Sequence, residues 1–221
     1  MHHEITENYV IVNDDCFNSM AQIRAESIDM ILTDPPYGMS FQSGYRKEKH
    51  KKIVNDNELS WLPMFAEECH RVAKDNTAHY VFCSMHHIDK FKQAFERHFK
   101  IKNILIWEKN NTGMGDLKAD FAPKYEMILF LHKGRRLIEG ARDANIIKFK
   151  RTSNELHPTQ KPVDMLEYLI SKFSSPGDTI LDPFMGSGST GVAAISSNRR
   201  FFGIELDSDY YEICKRRLSG E

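Results

Sequence analysis

The stretch "TILDPFMGSGSTGVAAI", residues 179 to 195, passes from a short apolar run through a glycine-rich turn into a helix pattern. Strand, tight turn and helix together form the device by which open α/β sheets offer unpaired backbone N–H groups to a nucleotide. Gly186 and Gly188 permit close backbone approach, and Ser189-Thr190 opens the helix. Glu205 ends the next apolar run, Phe201–Glu205, at the offset where an acid reaches ribose hydroxyls. No lysine follows the last glycine, so the loop is not the phosphate cradle of an NTPase. A nucleoside-bearing cofactor is expected. Its candidate contacts are Asp182, Pro183, Phe184, Gly186, Ser187, Gly188, Ser189 and Glu205.

The chain ends at residue 221, which leaves room after this loop for one strand and one helix. A dinucleotide fold places most of its sheet after the loop, so here the remaining strands must come from earlier in the sequence. Asp182 adds an acid that would sit badly beside a pyrophosphate and well beside a positively charged cofactor. That favours a sulfonium.

Upstream, strand-like runs enriched in β-branched and aromatic residues fall at Tyr9–Val12, Ile28–Thr33, Ala78–Cys83, Ile101–Trp107, Tyr125–Leu131, Thr179–Leu181 and Phe201–Glu205. Helix patterns separate most of them. One is capped by Ser60 and runs to Val72, a second spans His86–Phe99, a third follows Pro162, and two more cover Gly191–Ser197 and Tyr210–Leu218. Alternation of this kind predicts a parallel sheet covered on both faces. The runs at 101–107 and 125–131 lack an intervening helix and predict an antiparallel hairpin at one edge. Met1-His2-His3 reads as a tail.

"TDPPYG", residues 33 to 38, closes the second of these strands. Ligands of open parallel sheets bind outside the carboxyl ends of the strands, so Asp34 and Asp182 should face one crevice. Pro35 and Pro36 lock the turn, and Pro35 has no N–H to compete for its own carbonyl. The Asp34 carboxylate and that carbonyl make two acceptors at fixed separation, suited to holding both hydrogens of an amine on a heteroaromatic base. Tyr37 offers a π face. The bland alternative is a proline turn after a strand; a second motif at another strand end makes it the weaker reading.

Asp34-Pro35-Pro36-Tyr37, the Asp182–Gly188 loop and His157-Pro158-Thr159-Gln160-Lys161-Pro162 resemble the DNA amino-methyltransferases that use S-adenosylmethionine. The order of the motifs is similar to the permuted β class. The resemblance covers nearly the whole chain. It implies a Rossmann-like α/β fold, circularly permuted, with a seven-stranded, mostly parallel sheet and one antiparallel edge hairpin. It also implies that Asp34, Pro35, Pro36 and Tyr37 are catalytic and that Glu205 binds ribose. Asp15 and Cys16 would lie near the adenine, with His157, Thr159 and Lys161 shaping the cofactor pocket. The activity implied is methyl transfer to N6 of a flipped adenine in double-stranded DNA, without metal. N4 of cytosine is the nearest alternative, although an aspartate opening the tetrapeptide resembles the adenine enzymes more. RNA, a protein amide nitrogen, or a catalytically silent DNA-binding module are the others. Two departures stand out: Asp14 occupies the place of a glycine common among relatives, and the insert before His157 is short.

Composition sets the outer limits. With 30 Lys and Arg against 31 Asp and Glu, overall charge does not announce a nucleic-acid binder. Two local basic runs do better as phosphate contacts once the motifs stand beside them: Arg46, Lys47, Lys49, Lys51 and Lys52, and the stretch holding Arg135, Arg136 and Arg151. One domain, residues 1–221, is expected, with a mobile loop at 38–59 and a short candidate target-recognition insert at 133–156. The four cysteines show no zinc spacing, and neither a leader nor an apolar run of spanning length is present. The expectation is a reduced, cytoplasmic protein without membrane contact, acting as monomer or homodimer.

Overall fold

The structure is a computed structural model that describes residues 2–36, 59–114, 116–152 and 160–220. In chain order the elements are β1 (His2–Ile5), β2 (Tyr9–Asn13), α1 (Cys16–Met20), β3 (Met30–Thr33), α2 (Leu62–Val72), β4 (Thr77–Cys83), α3 (Ile88–Phe95), β5 (Lys100–Glu108), β6 (Tyr125–Lys133), β7 (Ile146–Lys148), α4 (Val163–Phe173), β8 (Thr179–Asp182), α5 (Ser189–Ser196), β9 (Arg200–Glu205) and α6 (Ser208–Ser219). The described strands form one nine-stranded sheet in the order β1-β2-β9-β8-β3-β4-β6-β5-β7.

Strict alternation along the central strands sorts their side chains onto two faces. Met30 and Leu32, Tyr80 and Phe82, Ile128 and Phe130, and Ile180 share one buried cluster with Met165, Leu166, Leu169 and Ile170 of α4. Ile31, Val81, Leu129, Leu131, Leu181 and Ile204 share the other with Phe65 and Cys69 of α2 and Phe91 and Phe95 of α3. The helix patterns of the sequence are these two covering layers.

All seven expected strands are present, and two edge strands join them. The expected tail at His2 and His3 is strand β1, antiparallel to β2 with His2 opposite Asn13. The hairpin β5–β6 is antiparallel as expected, but it does not form the edge, because β7 from the short insert adds to β5 in parallel. The reversed strand β6 therefore lies between β4 and β5. Two helix starts also differ. The helix expected from Ser60 begins at Leu62, with Trp61 at the cap position, no side-chain cap and a proline in its first turn. Pro162 precedes α4 with extended backbone rather than sitting in its first turn.

β3 and β8 are neighbours, with Met30 opposite Ile180 and Ile31 opposite Leu181. From β3 the chain proceeds outward to β4 on one side, and from β8 to β9 on the other. This is the topological switch point at which open sheets bind ligands. A buried carboxylate pins it. Asp182 Oδ1 accepts from Thr33 Oγ1 at 2.8 Å and from the Phe184 N–H at 3.2 Å, while Oδ2 accepts from Thr190 Oγ1 at 2.7 Å. One side chain thus ties β3, β8 and α5 together. A second buried polar group, His79 of β4, accepts the Ile31 N–H through Nδ1 at 3.1 Å. Burial pushes its pKa down to about 3, so it serves as a neutral acceptor.

Replacing Asp182 by Ala leaves three donors without an acceptor. The expected cost is about 2–4 kcal/mol in urea unfolding, with Asp182→Asn costing less because one amide oxygen remains. Equal stability of Asp182→Ala and wild type would refute the bracket.

Candidate active site

Asn13, Thr33, Cys83, Glu108, Lys148, Asp182 and Glu205 end the parallel strands at one rim, and the antiparallel β6 brings Tyr125 and Glu126 there. The glycine loop follows β8 along this rim. Gly188 has φ +81° and lies so close to α6 that an added Cβ would be 2.4 Å from Cys214 Sγ. Its left-handed backbone and this internal approach demand glycine. The Ser187 carbonyl and hydroxyl accept from Arg217 at 2.5 and 3.2 Å, so a half-buried arginine of α6 braces the turn. Phe184 packs on Trp61 and Phe65 with ring centroids 5.8 and 5.3 Å away, and Pro183 is buried.

Glu205 stands across from the loop. Its Oε2 accepts the Gly186 N–H at 2.9 Å and its Oε1 the Asp207 N–H at 2.8 Å. Burial outweighs these two bonds and, with the nearby Asp207 and Asp182 charges, pushes its pKa up to about 7. Asp15 caps α1 by accepting from the Phe17 and Asn18 N–H groups. Because Asn13 pairs with Glu205, the register brings Asp15 and Cys16 beside that acid. The Cys16 thiol is pushed up to about 12, mainly by burial, and is no nucleophile.

Asp182 was expected to present charge to the cofactor, but its oxygens are taken by Thr33, Thr190 and Phe184. Burial pushes its pKa up to about 6 against those bonds.

Asp34 lies half-buried directly after β3, followed by buried Pro35 and half-buried Pro36. Lys161, expected in the cofactor pocket, forms an ion pair with Asp34 instead. The ammonium is also 3.2 Å from Glu126 Oε2 and 4.9 Å from the centre of the Phe82 ring. Glu126 Oε1 is 2.6 Å from Lys109 Nζ, which lies 5.3 Å from the centre of the Trp107 ring. A row of alternating charges, Asp34, Lys161, Glu126 and Lys109, thus crosses the rim. Sequence reasoning missed Glu126 and Lys109. The available signal was alternation: Glu126 occupies the inward phase of the apolar series continued by Ile128 and Phe130.

Tyr37, Arg46, Lys47, Lys49, Lys51, Lys52, His157 and Thr159, like most of the expected loop at 38–59, lie outside the described residues. Arg151 is at this same rim, where its backbone N–H donates to Asn110 Oδ1 at 2.8 Å. Lys124 and Lys148 flank it, both paired with Glu108. Arg135 and Arg136 belong elsewhere. They follow the end of β6 that pairs with Thr77 at the start of β4, and Arg136 bonds Ser175 Oγ at 2.9 Å. The reversal of β6 sends them to the opposite rim, away from Asp34 and the glycine loop.

Among the described residues no group of three His, Cys, Asp or Glu side chains could hold a metal ion, and no helix is long and apolar enough to cross a membrane. Residues 28–216 match the family described as DNA methylase. The chain belongs to the DNA methylase family. The methylase is 30% identical over 248 residues to the DNA adenine methyltransferase YhdJ of Escherichia coli (strain K12), an alignment covering 96% of this chain and 83% of that protein. It is 30% identical over 244 residues to the type II methyltransferase M2.DpnII of Streptococcus pneumoniae, covering 96% and 90%. Its fold superposes on the crystal structure of the M1.HpyAVI–SAM complex with TM-score 0.73 and 26% identity, covering 94% of this chain and 98% of that one.

A carboxyl whose folded pKa is raised contributes stability that is complete below its unfolded value, about 4.3 for Glu, and lost as pH rises through the folded one. For Glu205 the loss runs across the interval between those two values and is nearly complete at about pH 7. The melting temperature of the cofactor-free methylase should fall between about pH 4 and about pH 7, and Glu205→Gln should flatten the fall; an unchanged slope would remove Glu205 as its source.

Proposed function

We propose that this methylase transfers the methyl group of S-adenosylmethionine to N6 of an adenine flipped out of double-stranded DNA. The observation that carries the reading is the place of Asp34, a carboxylate at the switch point beside the glycine loop and Glu205. The adenine specificity named for YhdJ and the cofactor named in the M1.HpyAVI complex support it.

The residues at the rim fit the cofactor. Glu205 is a half-buried acid at a strand end, its outer reach suited to two ribose hydroxyls, and Asp15 and Cys16 line the neighbouring strand end toward the base. When bound, S-adenosylmethionine supplies a sulfonium methyl that passes to the amine nitrogen, leaving the bond electrons on sulfur. Asp34 accepts one N–H of the amine and the Pro35 carbonyl the other. Holding both hydrogens away from the ring plane favours a pyramidal nitrogen and frees its lone pair. Such acceptors act because they are fixed before the reaction. As the new C–N bond forms, one proton must leave the nitrogen, and Asp34 is the group in place to receive it and return it to solvent. Tyr37 is assigned the stacking face for the extruded base, whose removal from the helix costs a few kcal/mol. The thiols take no part: all four cysteines are buried among the described residues. Lys124, Lys148 and Arg151 border the opening on the β5–β6 side and are assigned to phosphate contact.

The test is transfer of labelled methyl to unmethylated genomic DNA, followed by nucleoside analysis. The expected product is N6-methyladenine. Asp34→Ala should lower turnover by about 10²-fold or more while keeping the fold and S-adenosylmethionine binding. N4-methylcytosine would move the reading to the other base, and product only on RNA would overturn the substrate class. Cofactor affinity should rise with pH through about 7 as Glu205 ionises, and Glu205→Gln should weaken binding and remove the rise. In DNA-binding titrations against salt, Arg151→Ala should reduce the logarithmic slope by about 1, whereas Arg135→Ala and Arg136→Ala should leave it unchanged.

A further inference from the structure

Lys161 is buried, 6% exposed, and its ammonium is shared unequally between two carboxylates. Its contact with Asp34 is the tighter one. Glu126 Oε2 lies 3.2 Å away, close enough for an ion pair, yet among the described residues no aligned hydrogen bond reaches that buried oxygen. The two partners therefore differ in kind: one bond is made, and a second is nearly made.

This inequality matters for an acceptor that has to engage substrate. A carboxylate oxygen clamped by an ammonium is a poorer acceptor for an incoming amine N–H. Releasing the ammonium would strand a buried charge, which is costly unless another anion takes it. Glu126 is placed to do so. Its own charge is sustained from the far side by Lys109 at 2.6 Å, and the Phe82 ring covers another flank of the ammonium. Among the described residues, the groups facing this row include Asp34 after β3, Cys83 and Phe82 of β4, Lys109 after β5, Glu126 of β6 and Lys161 before α4; Asp182 of β8 adds a further charge to Asp34's surroundings. Burial works against the charges on Lys161 and Glu126, but their opposite partners outweigh it, so the lysine's pKa is raised and the glutamate's lowered. Displacing Lys161 within the row leaves the net charge of its four members at zero.

We propose that Glu126 is a positioning residue that takes Lys161 over from Asp34 when Asp34 engages the substrate amine. This rests on the assignment of Asp34 made above. Glu126 touches neither amine nor methyl; it acts through Lys161, by setting how readily the ammonium gives up the acceptor.

The experiment compares wild type, Glu126→Gln, Glu126→Asp, Lys161→Met and the double variant Glu126→Gln/Lys161→Met. It measures single-turnover methyl transfer at saturating DNA and cofactor, together with cofactor affinity and melting temperature. Glu126→Gln should slow transfer by about tenfold with cofactor affinity kept within about twofold of wild type, and Glu126→Asp should recover much of the rate. The double variant should be no slower than Lys161→Met alone, since without the ammonium Glu126 has nothing to take over. Multiplying losses in the double variant would overturn the proposal, because they would mean Glu126 acts independently of Lys161. Equal rates for wild type and Glu126→Gln would overturn it as well and leave the proposed function standing. Absence of methylated DNA from the wild type itself would instead remove the reading of Asp34, and this proposal with it.

Discussion

The rim that carries Asp34 and the glycine loop is held by one buried carboxylate that joins β3 and β8 where the sheet changes direction. Asp182 accepts from a threonine of β3, a threonine of α5 and the backbone of its own loop. Asp34 leaves β3 one residue after Thr33, and the glycine loop leaves β8 directly after Asp182, so the bracket sets how far apart the two halves of the site stand. A neutral hydrogen-bond network could do the same with less desolvation cost. The carboxylate adds acceptor capacity: three donors converge on two buried oxygens, and each is satisfied there.

The same local facts explain what was legible in the sequence. A glycine loop between a strand and a helix, and an acid ending the next strand, are patterns of period and spacing, and Thr179 to Glu205 could be read from them. The tetrapeptide after β3 was readable for the same reason. Asp182 was visible as an acid beside the loop, but nothing in sequence order shows that Thr33, 149 positions away, turns its hydroxyl to it. Lys161 was assigned to the cofactor and Glu126 not noticed, because their meeting depends on β6 running backward between β4 and β5. That reversal also carried Arg135 and Arg136 away from the rim, although their charge alone suggested DNA. Edge strands β1 and β7 are short and weakly patterned, as edges tend to be; their pairing is decided by the neighbours they cover.

The site is also economical in charge. Two anions and two cations lie in sequence across the rim, each within reach of an opposite partner. A lone ammonium as buried as Lys161 would be driven to its neutral form. Between Asp34 and Glu126 it is retained as a cation, and the aromatic faces of Phe82 and Trp107 beside Lys161 and Lys109 exchange water for polarisable carbon without removing the charges.

The sheet order has a consequence for how the chain reaches this state during synthesis. β2 emerges early and its partner β9 late, with Asn13 donating to the Glu205 carbonyl across 192 positions. β4, β5, β6 and α3 can assemble among themselves while the rest is still being translated. The half built on β2, β9 and β8 cannot, because its outer strand must wait beside a growing chain for β8 and β9 to leave the ribosome. Closing so long a loop is entropically expensive and slow. The late-forming half carries the glycine loop and Glu205, so ligand-binding competence should be the last property a nascent molecule acquires, and a chain stalled before β9 would expose the apolar flank of β2 as an open, pairing-prone edge.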